Sequence, residues 1–359
     1  MSNEEADGPA GRVRFPGISP RAYEHPVDRG ALGVLRSVPG FAEVVKTISG
    51  LFAERGERMM ALSSMIRVGP TQYPELDRIR RECADTLDID PAPRMFVARS
   101  SDAAAYTLGM DEPFIVLTTD LVERLDVPGL RFVVGHEMGH VLSGHAVYRT
   151  MLYRLLGMQS ALGWMPVSAL ALRAVIAALS EWYRKAELSC DRSGLLCGQD
   201  PPAALRVHVM LAGGVDIEQV DVPAFLEQAA EYEGVEDLRD SIHKLRGIEY
   251  LSHPLAVVRA DQLQKWAASA EYRALLAGDY PRRDAERPHT AWSEDVASAA
   301  RSYKDAVTTS ADPLSKALTG VGEAVTDVAG KVWHKLGPRG SEPDEGAEDD
   351  EQARGGDTG

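Results

Sequence analysis

The chain has little cysteine. Cys83, Cys190 and Cys197 are the only three among 359 residues. So odd and sparse a set excludes a disulfide framework and fits a reducing compartment. Positive charge is also short, with 39 Lys and Arg against 54 Asp and Glu. A net charge of −15 argues against a nucleic-acid partner. The first seven residues are acidic and lack the apolar core of a secretory signal. Together these absences favour the cytoplasm. A clean membrane span is missing as well. Residues 161–180 have about the right length, but Pro166, Ser168 and Arg173 interrupt them. An arginine in mid-span costs at least about 2.5 kcal/mol. The stretch is expected as a buried or partly exposed helix, with peripheral membrane contact as the other reading.

What the chain does have is helical patterning around a few short strands. Residues 1–30 are rich in Gly, Pro and charge and read as a flexible leader. Residues 31–285 read as one domain. Helical spacing is expected over 74–87, 167–197, 203–211, 222–233, 236–247 and 254–266. Short strands are expected at 94–98, 104–108 and 114–118, the last two as a hairpin across Gly109–Pro113. The fold class is therefore α+β, mostly α-helical with a small sheet. Residues 286–340 read as a linker and an amphipathic helix, whose apolar face at 311–337 suits a docked helix or a membrane surface. Residues 341–359 carry eight acids against one base, Arg354, and read as a disordered acidic tail.

One pentapeptide carries chemistry: His136-Glu137-Met138-Gly139-His140, set in an apolar run. Residues four apart share a helix face, so both imidazoles can reach one metal ion. Glu137 then lies where it can take a proton from an activated water. This is the kernel of a zinc peptidase. The helix is expected to start near Asp126 or Val127, with Pro128 in its first turn, and to run to about Tyr148. On such a helix His145 falls half a turn away from the metal face, which excludes it as a ligand. The metzincin pattern would need glycine and histidine where Ser143 and Ala146 stand.

A catalytic zinc usually takes three protein ligands and leaves a fourth position open. Glu187 and Asp191 are again four apart on a predicted helix. A ligating carboxylate followed one turn later by a carboxylate that fixes an imidazole is a recurrent division of labour. Glu187 is thus expected as the third ligand and Asp191 as the acceptor for His136. Cys190 and Cys197 are expected as small buried apolar residues.

From about Tyr73 to Tyr280 the sequence resembles the M48 zinc metallopeptidases, including their HtpX and CAAX-prenyl-protease branches. The resemblance rests on Ile115–Thr119, His136–Val141, Arg184–Arg192 and His253-Pro254 with Arg259. It implies a gluzincin core, with one zinc ion held by two histidines and a glutamate, and Glu137 as general base. The chain departs from the family at Cys190, where alanine is common. It also departs in the edge strand, which reads Ala104-Ala105-Tyr106 instead of the usual Asn-Ala. His253 is expected to donate to the oxyanion of the tetrahedral intermediate or to occupy the open metal position at rest. Arg259 is expected to order that loop or the surroundings of Asp191. The expected activity is zinc-dependent endopeptidase hydrolysis of protein or peptide substrates, with a place in protein quality control. The alternatives are a metal-binding scaffold without proteolysis and a membrane-associated protease of the same family.

Overall fold

The computed structural model describes residues 11–26, 28–29, 55–162, 166–213, 217–233 and 255–285. In chain order the elements are α1 (Arg55–Ser64), β1 (Ile66–Arg67), α2 (Pro74–Leu87), β2 (Arg94–Ala98), β3 (Ala105–Leu108), β4 (Phe114–Thr118) and α3 (Thr119–Arg124). There follow α4 (Val127–Leu142), α5 (His145–Leu162), α6 (Pro166–Gly198), α7 (Pro201–Ala212), α8 (Val222–Glu233), α9 (Ala256–Ala267) and α10 (Ala270–Leu276). The mostly helical α+β class with a small sheet is the observed one. The helical patterns at 236–247 and 311–337 and the tail at 341–359 lie outside the described residues.

The sheet runs β1-β2-β4-β3. β2 and β4 are parallel, with Phe96 opposite Val116, and β3 returns antiparallel to β4, with Tyr106 opposite Val116. Side chains alternate between faces, so one strand supplies two layers. Met95, Val97, Ile115 and Leu117 enter the main core. Phe96, Phe114 and Val116 form a smaller cluster with Ala61 of α1. β4 is covered on both sides, which explains its unbroken apolar run. β3 is an edge strand, with Ala105 and Thr107 buried and Tyr106 and Leu108 half-buried. The expected hairpin turns at Gly109, whose φ of +111° suits glycine and where a Cβ would lie 2.9 Å from the Glu112 carbonyl oxygen.

α4 is the central helix. Its N-cap is Asp126, which accepts from the Gly129 amide at 2.8 Å. From Gly129 to His140 it is buried throughout, as a helix apolar on every side must be. It crosses α6 at very short range. A Cβ on Gly135 would lie 2.4 Å from the Cβ of Cys197, and one on Gly139 would lie 2.7 Å from that of Ser193. The Ser193 hydroxyl donates to the Gly135 carbonyl at 2.9 Å across the same gap. All three cysteines are buried and free, as expected for Cys190 and Cys197.

Two expectations need correction. α4 does not continue to Tyr148. It stops at Leu142, and Gly144, at φ +70°, turns the chain into α5. The second concerns the segment read as a flexible leader. Phe15, Ile18, Ala22 and Tyr23 belong to the main core. The Phe15 amide donates to the Thr86 carbonyl at 2.8 Å, and Ser19 to the Pro281 carbonyl at 3.0 Å. Tyr23 meets the Ser143 hydroxyl at 3.0 Å. Four apolar anchors at irregular spacing are enough to dock a segment whose overall composition is polar.

Among the described residues no helix is long and apolar enough to cross a membrane. Within the 161–180 stretch, Ile176 and Leu179 are buried.

Candidate metal centre

The α4–α6 crossing sets two i, i+4 pairs against each other. His136 and His140 project from α4, and Glu187 and Asp191 from α6, all of them buried. The two Nε2 atoms lie 3.2 Å apart. Glu187 Oε2 is 3.5 Å from His136 Nε2, and Glu187 Oε1 is 3.2 Å from His140 Nε2. For bonds of about 2.0–2.1 Å, a tetrahedral zinc site requires ligand atoms about 3.3–3.4 Å apart. With a different Glu187 oxygen facing each imidazole, the two histidines and the carboxylate converge at that spacing. Glu187 Oε1 makes no hydrogen bond among the described residues despite its nearness to His140, which is what a donor atom aimed at a shared cation shows.

The electrostatics draw positive charge to the same point. Burial opposes a charged His136, but Glu187 and Asp191 raise it to about 9. Burial pushes His140 down to about 3, holding it in the neutral form that binds metals. Burial would raise the Glu187 carboxyl, yet Arg259 and the two histidines hold it well below the usual carboxylate range.

The side chains behind the triangle fix its orientation. His136 Nδ1 lies 3.0 Å from Asp191 Oδ1. A proton on Nδ1 directs the Nε2 lone pair into the triangle. Arg259 of α9 donates to both Asp191 oxygens, at 2.6 and 2.8 Å, and its Nη1 lies 2.8 Å from Glu187 Oε2. One guanidinium therefore clamps both carboxylates. The structure thus brings together His136, Glu137, His140, Glu187, Asp191 and Arg259. His253 lies outside the described residues.

Glu137 faces the sheet. The Thr107 hydroxyl on β3 donates to Glu137 Oε2 at 2.7 Å. The carboxylate lies within 4.8 Å of the two imidazole nitrogens. A narrow cavity opens here, lined by Leu121, Phe132, Val133 and Val207 together with Arg149 and Tyr183. Its volume is about 20 Å³, room for one water molecule.

Several contributors had weak sequence signals or none. Tyr183 stacks on His140, with ring centres 5.6 Å apart and planes 13° apart. It stands four residues before Glu187, so the helical spacing that found Asp191 also points to it. His208 of α7 lies buried 3.8 Å from Asp191. Thr107 and Arg149 reach the site only through tertiary packing. His145 does not point into the triangle. It sits between Asp28, at 3.4 Å, and Cys190, at 3.5 Å.

The family model for peptidase family M48 matches residues 70–267. The chain is also 35% identical over 263 residues to the plastoglobule-localized metallopeptidase 48, chloroplastic, of Arabidopsis thaliana. That alignment covers 71% of this chain and 74% of the relative. No solved structure matches. Two helices that present histidines and carboxylates to one point thus coincide with a family match over more than half of the chain, which belongs to peptidase family M48.

Proposed function

We propose that the chain is a zinc-dependent metalloendopeptidase. In this reading His136, His140 and Glu187 hold the ion and Glu137 is the general base. The observation that carries it is the convergence of both Nε2 atoms and the Glu187 carboxylate, with oxygens 3.2–3.5 Å from the imidazoles, beside the Glu137 carboxylate. Zinc held there would supply Lewis acidity, polarising the scissile carbonyl and lowering the pKa of water. Glu137, held by Thr107, takes the proton of the attacking water and passes it to the leaving amine. Asp191 keeps His136 in the ligating tautomer, and Arg259 keeps Asp191 and Glu187 ionised and in place. The free edge of β3 suits pairing with an extended substrate backbone. His253 is the proposed donor to the oxyanion.

One assay tests this reading: metal content by mass spectrometry together with hydrolysis of a denatured protein. Glu137→Gln is expected to retain one zinc per chain and to lose activity by about 10²–10⁴-fold. Glu187→Ala is expected to lose the zinc. His253→Ala is expected to lower kcat with zinc retained. Full activity in Glu137→Gln, or stoichiometric zinc in folded Glu187→Ala, would refute the assignments. A cytoplasmic location with peripheral membrane contact belongs to the same proposal. It rests on the few and free cysteines, and recovery only in detergent extracts would overturn it.

A further inference from the structure

One charged group at the cavity has no role in the chemistry above. Arg149 comes from the first turns of α5, which Thr150 ties to the β3–β4 turn by accepting from the Gly109 amide at 2.9 Å. The guanidinium lies 4.9 Å from the centre of the Tyr183 ring and 5.9 Å from that of Tyr106 on the edge strand. It lines the same cavity as His136, Glu137 and Glu187. Its Nη1 is buried and has no hydrogen-bond partner among the described residues. Glu137 Oε2 is 3.7 Å away, beyond hydrogen-bond length, and that oxygen already accepts from Thr107. Aromatic faces hold the cation in place but offer no in-plane acceptor for its N–H groups.

A guanidinium is a rigid fork that matches a carboxylate. Leaving one of its donors buried and unmatched is costly unless a partner completes it in the working state. The lining of the cavity also includes apolar Leu121, Phe132 and Val207.

We propose that Arg149 is a carboxylate-binding subsite beside the scissile bond, so that the enzyme prefers substrates with an acidic group there. This inference rests on the peptidase reading and deepens it. The carboxylate could belong to an Asp or Glu side chain or to a free peptide C-terminus, and free and amidated peptides separate the two.

The test uses the zinc-loaded full chain and a library of peptides cut from a proteome, with new termini read by mass spectrometry. Wild type is expected to enrich an acidic residue, or a terminal carboxylate, at one position next to the cut. On matched peptides, kcat/KM for Glu over Gln at that position is expected to be about tenfold or more. Arg149→Gln is expected to erase that ratio, and Arg149→Lys, which keeps charge without the fork, to retain part of it. A second arm measures peptide binding by anisotropy in the Glu137→Gln background, where the same Glu over Gln preference is expected and is lost on adding Arg149→Gln. Should the wild type cleave nothing, the peptidase reading falls and the binding arm alone decides the subsite. The proposal is overturned by a wild type indifferent to Glu and Gln, or by a preference that survives Arg149→Gln. An equal drop in kcat on both peptides would also overturn it, because that marks a role toward the reacting carbonyl.

Discussion

The two sides of the centre differ in how their charged groups are paired. On the α4–α6 side, His136 has Asp191, Asp191 has Arg259, and Arg259 also holds Glu187. On the β3–α5 side, Glu137 has only Thr107 at hydrogen-bond distance, and Arg149 keeps an unmatched donor. The closed side is built to keep a geometry. The side whose guanidinium, among the described residues, has no carboxylate at hydrogen-bond distance is the one that can meet something new. Metal affinity and substrate choice should therefore respond to different mutations.

The largest effect beyond the general base belongs to the closed side. Asp191→Asn keeps the shape but removes the charge that fixes His136, and a 10–100-fold loss of zinc affinity is expected. Competition with a chelator of known affinity measures it. If affinity stays unchanged, the dependence of His136 on Asp191 is wrong. Next comes the crossing itself. Gly139→Val places a side chain where Ser193 stands, so about 1–3 kcal/mol of stability should be lost. Zinc affinity should fall with it, because the two helices carry the ligands. Thermal melts with and without zinc report both, and a loss of stability with undiminished affinity would separate crossing from site. The last test lies on the open side. Thr107→Val removes one hydrogen bond to Glu137, worth about 1.5–3 kcal/mol because the acceptor is charged. The expected outcome is roughly tenfold or more in kcat with zinc content intact; a change in zinc content would erase the distinction between the two sides.

The local parts of this molecule were legible in the sequence. α2, β2, β4 and α8 span the residues that periodicity assigned, because apolar spacing and flanking turns act over a few residues. The ligand pairs were legible for the same reason, since i, i+4 spacing is a local property. What escaped depends on contacts between distant segments. Thr107 and Arg149 reach Glu137 from a strand and a helix on either side of α4, and no local pattern marks them. The docking of residues 11–26 was hidden because its four anchors follow no helical or strand period. The break at Gly144 was hidden because apolar residues continue in phase beyond it, with that glycine as the only cue.

The glycine-tight crossing has a further consequence for a protein that cuts proteins. The ligands sit on two helices some fifty residues apart, and they meet only where Gly135 and Gly139 let the core close. A newly made or damaged copy, whose helices have not yet met, holds no triangle. Hydrolytic competence therefore arrives with the last stage of packing, and the fold acts as its own safety catch.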